Sequence, residues 1–166
     1  MLENPEVLNK TAQNIYRDIL NDKTTKKFLK VKISDQIFGI NATDVEDILN
    51  AQKVDHIPLA PNYIVGSLNL RGKIVTVIDI KKKYGLQEKK EMTGGEENLN
   101  VVLSVNDEFY SILVDNVYEV LDLELDKIDL NPPTLESKWK HISSGIYQLE
   151  NELLILLETQ ELIKSI

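Results

Sequence analysis

Histidine and cysteine, the side chains that most often bind metals or act as nucleophiles and bases, are nearly absent from this sequence. Its two histidines, His56 and His141, lie far apart, and neither has a second ligand at helix or hairpin spacing, which argues against a zinc or iron site. There is no cysteine, so disulfides, thiolate zinc sites and cysteine nucleophiles are removed together. We therefore expect solvent-facing or core-edge histidines, no metal and no other cofactor.

The other patterns that could carry chemistry fail on spacing. Carboxylates alternate from Asp122 to Asp126 as in a calcium loop, but Lys127 stands where an EF-hand has glycine. The pair Gly94-Gly95 has neither the lysine nor the helix of a phosphate-binding loop, and no nucleophile elbow supports a serine triad. We predict that the chain is not an enzyme. An enzyme built on a small β barrel stays as an alternative, which a clustered polar pocket would favour.

The bulk composition argues against further classes of function. Hydrophobic residues make up 42% of the 166 residues, enough for a core, whereas the formal net charge of −8 disfavours a nucleic-acid-binding barrel, which needs a basic face. The start of the chain, with Glu3, Pro5 and Glu6, lacks the regions of a signal peptide, and no apolar run has the length of a membrane span. We expect a cytoplasmic protein that binds other proteins, with no nucleic acid and no direct membrane insertion.

One string is a candidate binding surface. From Gly66 to Asp79 the sequence reads GSLNLRGKIVTVID, with Arg71 at the end of a strand and directly before a glycine turn. Arginine is enriched at the energetic centres of protein interfaces. An arginine that is merely solvated in a loop is an equally good interpretation of the residue types alone.

Helical periodicity is confined to short parts of the chain. Residues 5–20 carry an apolar stripe at helical spacing, and a helix packed on the body is favoured over one that binds a partner. Asp79 is expected to cap a short helix that ends at Gly85. A further helix over residues 159–166 is expected to close the chain.

Alternating periodicity dominates the rest and divides it into two halves. We predict an N-terminal helix and connector (1–27), a first lobe (28–92) and a second lobe (98–166), with about five short strands in each lobe. Residues 45–49 fit a strand or a short helix, and residues 54–57 a short strand. Two small barrels are favoured because closure removes exposed strand edges, although a single sandwich fits the strand count almost as well.

The string around Arg71 resembles the signature of CheW-type chemotaxis coupling proteins. The tetrapeptide Asn69-Leu70-Arg71-Gly72 is similar to the family signature, and an apolar strand follows it as in the family. Further segments resemble the family in the same order, and they are His56–Pro58, Pro61–Gly66, Leu113–Val120, Gly145 and Leu153–Glu158. Thr76 and Glu158 depart from the proline and the aspartate that the family usually carries at these places.

This resemblance implies both a fold and a function. The fold is all-β with short helices, made of two intertwined five-stranded SH3-like β-barrels with N-terminal and C-terminal helices. The function is an adaptor that joins the cytoplasmic tip of methyl-accepting chemoreceptors to the regulatory domain of the CheA-type histidine kinase in receptor arrays. The positions that match the receptor-facing groove of the family are Val45, Gly66 and Arg71. Kinase contacts are expected at exposed apolar residues of the barrel ends.

Other interpretations stay open at this point. From residue types alone, Val45 is equally well an ordinary core residue, and a backbone requirement is slightly favoured at Gly66. The chain could also be a coupling-type domain that binds receptors in a specialised array without kinase support. A coupling domain excised from a larger protein is a further alternative.

Overall fold

A computed structural model describes residues 25–86 and 98–166, which form ten strands and three short α-helices. The strands are β1 (Thr25–Ile33), β2 (Gln36–Asn41), β3 (Val45–Leu49), β4 (Ile64–Leu70), β5 (Lys73–Ile78), β6 (Leu99–Val105), β7 (Glu108–Val114), β8 (Asn116–Glu124), β9 (Ser143–Gln148) and β10 (Leu153–Leu157). The helices are α1 (Ile80–Tyr84), α2 (Ser137–Lys140) and α3 (Thr159–Lys164). The helix expected over residues 5–20 lies outside the described residues.

The ten strands form two five-stranded sheets whose members come from both halves of the chain. One sheet has the order β8-β1-β2-β10-β9, and the other has the order β3-β6-β7-β5-β4. We call them barrel I and barrel II. The predicted intertwined barrels are therefore confirmed. Each sheet draws strands from both of the predicted lobes, 28–92 and 98–166, because β1 pairs with β8 and β2 with β10. Sequence periodicity marks a strand but does not name its neighbour.

Each sheet closes on itself where the chain beyond one end strand meets the other end strand. In barrel II, Asp55, which follows β3, forms an antiparallel bridge with Ser67 of β4. In barrel I, Asp129, which follows β8, forms the same bridge with Ile146 of β9. The short strand expected over residues 54–57 is thus reduced to a single bridging residue. These two closures sit at matching places in the two barrels.

Both faces of each sheet are buried, so the molecule has three layers of core. Along β1, Phe28 faces the interior of barrel I, and its neighbour Leu29 faces a core shared between the two sheets. Along β6, Val102 faces the interior of barrel II, whereas Val101 and Leu103 face the shared core. Because side chains alternate across a strand, this arrangement explains why buried apolar residues stand next to each other at Phe28-Leu29 in β1 and from Val101 to Leu103 in β6. The shared core fixes the two barrels to each other.

The helices confirm two local predictions and explain one departure. The side chain of Asp79 accepts a hydrogen bond from the backbone N–H of Lys82 at the start of α1, and Gly85 ends this helix in the left-handed conformation with φ 64°. At the matching position before α3, Glu158 makes no capping bond with its side chain. Its longer side chain is a poor replacement for a capping aspartate, so α3 begins without this contact.

Candidate functional site

The signature tetrapeptide forms the tip of the β4–β5 hairpin. Leu70 pairs with Lys73, which leaves Arg71 and Gly72 as a two-residue loop with φ values of 52° and 82°. Positive φ at both loop residues is typical of the type I′ turn, whose twist matches that of the strands. The side-chain oxygen Oδ1 of Asn69 accepts a hydrogen bond of 2.9 Å from the backbone N–H of Gly72. Asn69 and Gly72 therefore serve to present Arg71.

Arg71 lies on the surface of barrel II and contacts β3, the end strand of the sheet opposite to β4. Its Nη2 is 3.3 Å from Oδ2 of Asp47 on β3, and 77% of its side chain is exposed. Exposed ion pairs of this kind contribute little to stability, about 0–1 kcal/mol. The guanidinium consequently keeps most of its donors available to a partner, while Asp47 orients it.

Val45 is the first residue of β3 and stands opposite Leu103 of β6. It is half-buried and packs against the shared core. A register shift between Val45 and Asp47 bends the strand at this point, and Asp47 holds Arg71. Val45 thus lies partly in the core, two residues before the aspartate that pairs with Arg71.

Gly66 is buried in β4, below the segment that closes barrel II. Its φ is 154°, and a Cβ atom at this position would overlap the carbonyl oxygen of Asp55 and lie 2.6 Å from a methyl group of Val54. In barrel I, Gly145 has the same φ, and its Cβ would lie 2.7 Å from the carbonyl oxygen of Asp129. The structure thus gives Gly66 a backbone role that is repeated in the other barrel. Direct contact between Gly66 and a receptor stays a prediction.

Sequence reasoning did not select Asp47, which pairs with Arg71, or Ile74, which lies three residues beyond Arg71 in the same hairpin. Ile74 is opposite Asn69 in the hairpin and is 74% exposed. The alternation of side chains along β5 could have shown that Ile74 is exposed, because Val75 and Val77 point into barrel II and Ile74 must point out. For Asp47 no local signal existed, since its contact with Arg71 spans 24 residues of sequence.

An open polar groove lies on barrel II next to the hairpin, and two pairs of its side chains contact each other. The ammonium of Lys73 lies 4.2 Å from the ring centre of Phe109, and the hydroxyl of Tyr110 donates to the carboxylate of Glu108. The same hydrogen bond, together with burial, raises the pKa of Tyr110 above its usual value. Tyr110 therefore stays protonated beside the carboxylate of Glu108.

Both histidines are exposed, as expected from the sequence. Among residues 25–86 and 98–166, no three histidine, aspartate or glutamate side chains are grouped so that they could hold a metal ion. None of the helices in that part of the chain has the length and apolar character needed to cross a membrane.

Comparisons with known proteins identify the family of the chain. The family model described as CheW-like domain matches residues 27–166. A protein of Klebsiella aerogenes named "Chemotaxis protein CheW" is 29% identical over 140 residues, which cover 84% of this chain and 82% of that protein. A protein of Treponema pallidum with the same name is 27% identical over 136 residues, which cover 81% of this chain and 79% of that protein.

A solved structure shows the same fold. The crystal structure of scaffolding protein TtCheW from Thermoanaerobacter tengcongensis superposes with a TM-score of 0.70 at 24% identity, and the match covers 80% of this chain and 84% of that chain. With the family model spanning all of the described residues from position 27 onward, the chain belongs to the CheW-like domain family.

Proposed function

We propose that this chain is a chemotaxis adaptor that binds the cytoplasmic tip of methyl-accepting chemoreceptors on one surface and the regulatory domain of a CheA-type histidine kinase on another. Membership in the CheW-like family supports this role, and so do the names of the relatives. The observation that carries the proposal is the hairpin tip, where Arg71 is exposed and oriented. The adaptor acts in the cytoplasm and reaches the membrane only through its partners.

The receptor surface is centred on Arg71 and includes Asp47, Ile74 and Val45. Ile74 offers an exposed apolar contact next to a charge that is held in place by Asp47. An apolar contact beside an oriented guanidinium suits the side of a receptor helix, since the apolar face of the helix packs on Ile74 and a carboxylate of the helix pairs with Arg71. Gly66 supports this surface from below by allowing the chain to close over β4.

The kinase surface is proposed at exposed apolar residues away from the hairpin. Leu59 is fully exposed in the left-handed conformation with φ 63°, and Leu130 is 89% exposed. Each lies in the connection that follows the closing bridge of its barrel, so both are at barrel ends. A fully exposed leucine in a strained backbone conformation costs free energy in the free protein, which a partner that covers it would offset.

The mechanism is positional and includes no chemical step. Receptor and kinase bind different surfaces of one rigid body, and the shared core between the barrels fixes the distance and angle between those surfaces. A change in receptor conformation alters the kinase through these contacts, which is allosteric if the two binding events are coupled.

The first experiment is a calorimetric titration of the chain with the purified CheA regulatory domain and, separately, with a receptor-tip fragment of the same cell. We expect saturable binding to both. Binding to the receptor tip without binding to the kinase would identify the chain as an array component that does not support the kinase. Absence of binding to either partner, with the fold intact, would refute the proposed function.

Arg71→Glu tests the receptor surface. We expect this substitution to abolish binding of the receptor tip and to leave kinase binding near the wild-type value, because the new carboxylate faces Asp47 and repels an acidic partner. Lys73→Glu is the matched control, since it makes the same change of charge two residues along the hairpin. Receptor binding that survives Arg71→Glu, or simultaneous loss of both partners with the fold intact, would contradict the assignment.

A further inference from the structure

The described chain passes between the two sheets at two places. It leaves barrel I after β2 and enters barrel II at β3 through a short 3-10 turn, Ala42–Asp44. It leaves barrel II after β7 and returns to barrel I at β8 through the single residue Asp115. In both crossings an aspartate stands directly before the first residue of the entered strand. Both aspartates are hydrogen-bonded to side chains distant in sequence.

Asp115 is held by the helix of the barrel that the chain leaves. Its carboxylate pairs with the ammonium of Lys81 in α1 and accepts a hydrogen bond of 2.5 Å from the backbone N–H of Ser34. Its own N–H donates to the carbonyl oxygen of Lys32, at 2.8 Å. The side chain is only 6% exposed. This crossing is thus fixed by a charged pair and two backbone contacts.

Asp44 is held in the same manner but by a weaker donor. Its Oδ2 accepts a hydrogen bond of 2.8 Å from the hydroxyl of Thr159, the first residue of α3, which follows β10 of barrel I. Thr159 is buried with 1% exposure, and its counterpart at the first position of α1 is the equally buried Ile80. A buried hydroxyl without a partner is costly. The hydrogen bond to Asp44 therefore explains why a buried threonine stands at position 159, where the other barrel has an isoleucine.

We propose that Thr159 is a positioning residue that holds Asp44 and thereby the start of β3. Val45 follows Asp44 directly, and Asp47 orients Arg71 three residues later, so the contact ties the start of α3, which follows β10, to the strand that carries the partner of Arg71. One neutral hydroxyl makes this crossing looser than the one at Asp115. Its effect on receptor binding rests on the proposed function, whereas its effect on the crossing does not.

Hydrogen exchange of the native protein tests the contact at the crossing itself. The amide of Thr43 donates to Oδ1 of Asn41, and the amide of Val45 donates to the carbonyl oxygen of Ala42. In Thr159→Val, which keeps the shape and removes the hydroxyl, we expect both amides to exchange about tenfold faster or more, as follows from losing a hydrogen bond to a charged group. Thr159→Ser keeps the hydroxyl and is expected to restore slow exchange.

Ser111→Ala is the matched control, because Ser111 also donates a buried hydroxyl bond, at 2.8 Å to Asn100, but away from the crossing. It should lower global stability without selectively accelerating the two amides. Unchanged exchange at Thr43 and Val45 in Thr159→Val, or equal acceleration in Ser111→Ala and Thr159→Val, would overturn the proposal.

Binding measurements test whether the contact reaches the receptor surface. Thr159→Val is expected to weaken receptor-tip binding several-fold and to leave kinase binding within twofold, because only β3 is released. An equal loss of receptor binding and kinase binding would overturn the inference that the contact between Thr159 and Asp44 acts on the receptor surface. If the wild-type chain binds no receptor tip, the proposed function fails, while the exchange data still decide whether Thr159 holds the crossing.

Discussion

Replacing Gly66 by alanine is expected to destabilise the protein much more than replacing Gly72 by alanine. Both glycines have positive φ, 154° at Gly66 and 82° at Gly72, so both substitutions strain the backbone. Only at Gly66 does the added methyl group meet other atoms, namely the carbonyl of Asp55 and the side chain of Val54. At Gly72 nothing lies within 4 Å of the added carbon.

The magnitudes follow from these two contributions to the free energy of unfolding. Backbone strain at Gly66 costs about 1–3 kcal/mol, and steric overlap in a packed region costs about 1–3 kcal/mol more. Strain alone at Gly72 costs about 1–2 kcal/mol. Gly145→Ala should lower the free energy of unfolding by an amount similar to Gly66→Ala. In barrel I the closing segment at Asp129 lies against Gly145, and a Cβ there would lie 2.7 Å from the carbonyl oxygen of Asp129.

Urea unfolding followed by circular dichroism measures the three variants against the wild type. We expect Gly66→Ala and Gly145→Ala to lose stability by similar amounts and Gly72→Ala to lose the least. Thermal unfolding should give the same order, with a shift of about 2–4 °C per kcal/mol for a chain of this size. Equal losses for Gly66→Ala and Gly72→Ala would refute the steric role of Asp55. Loss of receptor binding by Gly66→Ala at unchanged stability would instead make Gly66 a direct contact.

Three further perturbations test the contacts that hold the barrels together. Lys81→Met leaves Asp115 buried without its cation and should cost about 3–5 kcal/mol in urea unfolding; an unchanged midpoint would contradict the pairing. Trp139→Ala removes a buried ring that packs on its neighbours in the shared core and should cost about 3–5 kcal/mol, measured in the same way. The hydrogen bond that the Lys30 ammonium donates to Glu152 raises the pKa of Lys30 above 10.5, so the stability it supplies is present below pH 10.5 and is lost as the pH rises through the raised value. The stability difference between wild type and Lys30→Met, from urea titrations at several pH values, should therefore shrink above pH 10.5, and a difference that grows there would contradict the sign.

Local features of the site were predictable from the sequence because short-range chemistry determines them. The hairpin tip at Arg71 follows from a glycine between two alternating strands, and the bounds of α1 follow from Asp79 and Gly85. The family resemblance added the fold of two intertwined barrels, which the comparison with a solved structure supports. The choice between core and interface at Val45 could not be made, because half-burial depends on what packs against β3.

Sequence by itself determined which side chains alternate in most of the strands, the bounds of α1, and which turn presents Arg71. Only the tertiary structure decided that β1 and β2 share a sheet with β8, that the carbonyl group of Asp55 packs against Gly66, and that Thr159 donates a hydrogen bond to Asp44. The physical reason is the range of the interactions. Periodicity and turn chemistry act over a few residues, whereas strand pairing and buried hydrogen bonds join residues that are distant in sequence, and their partners are selected by the packing of the whole core.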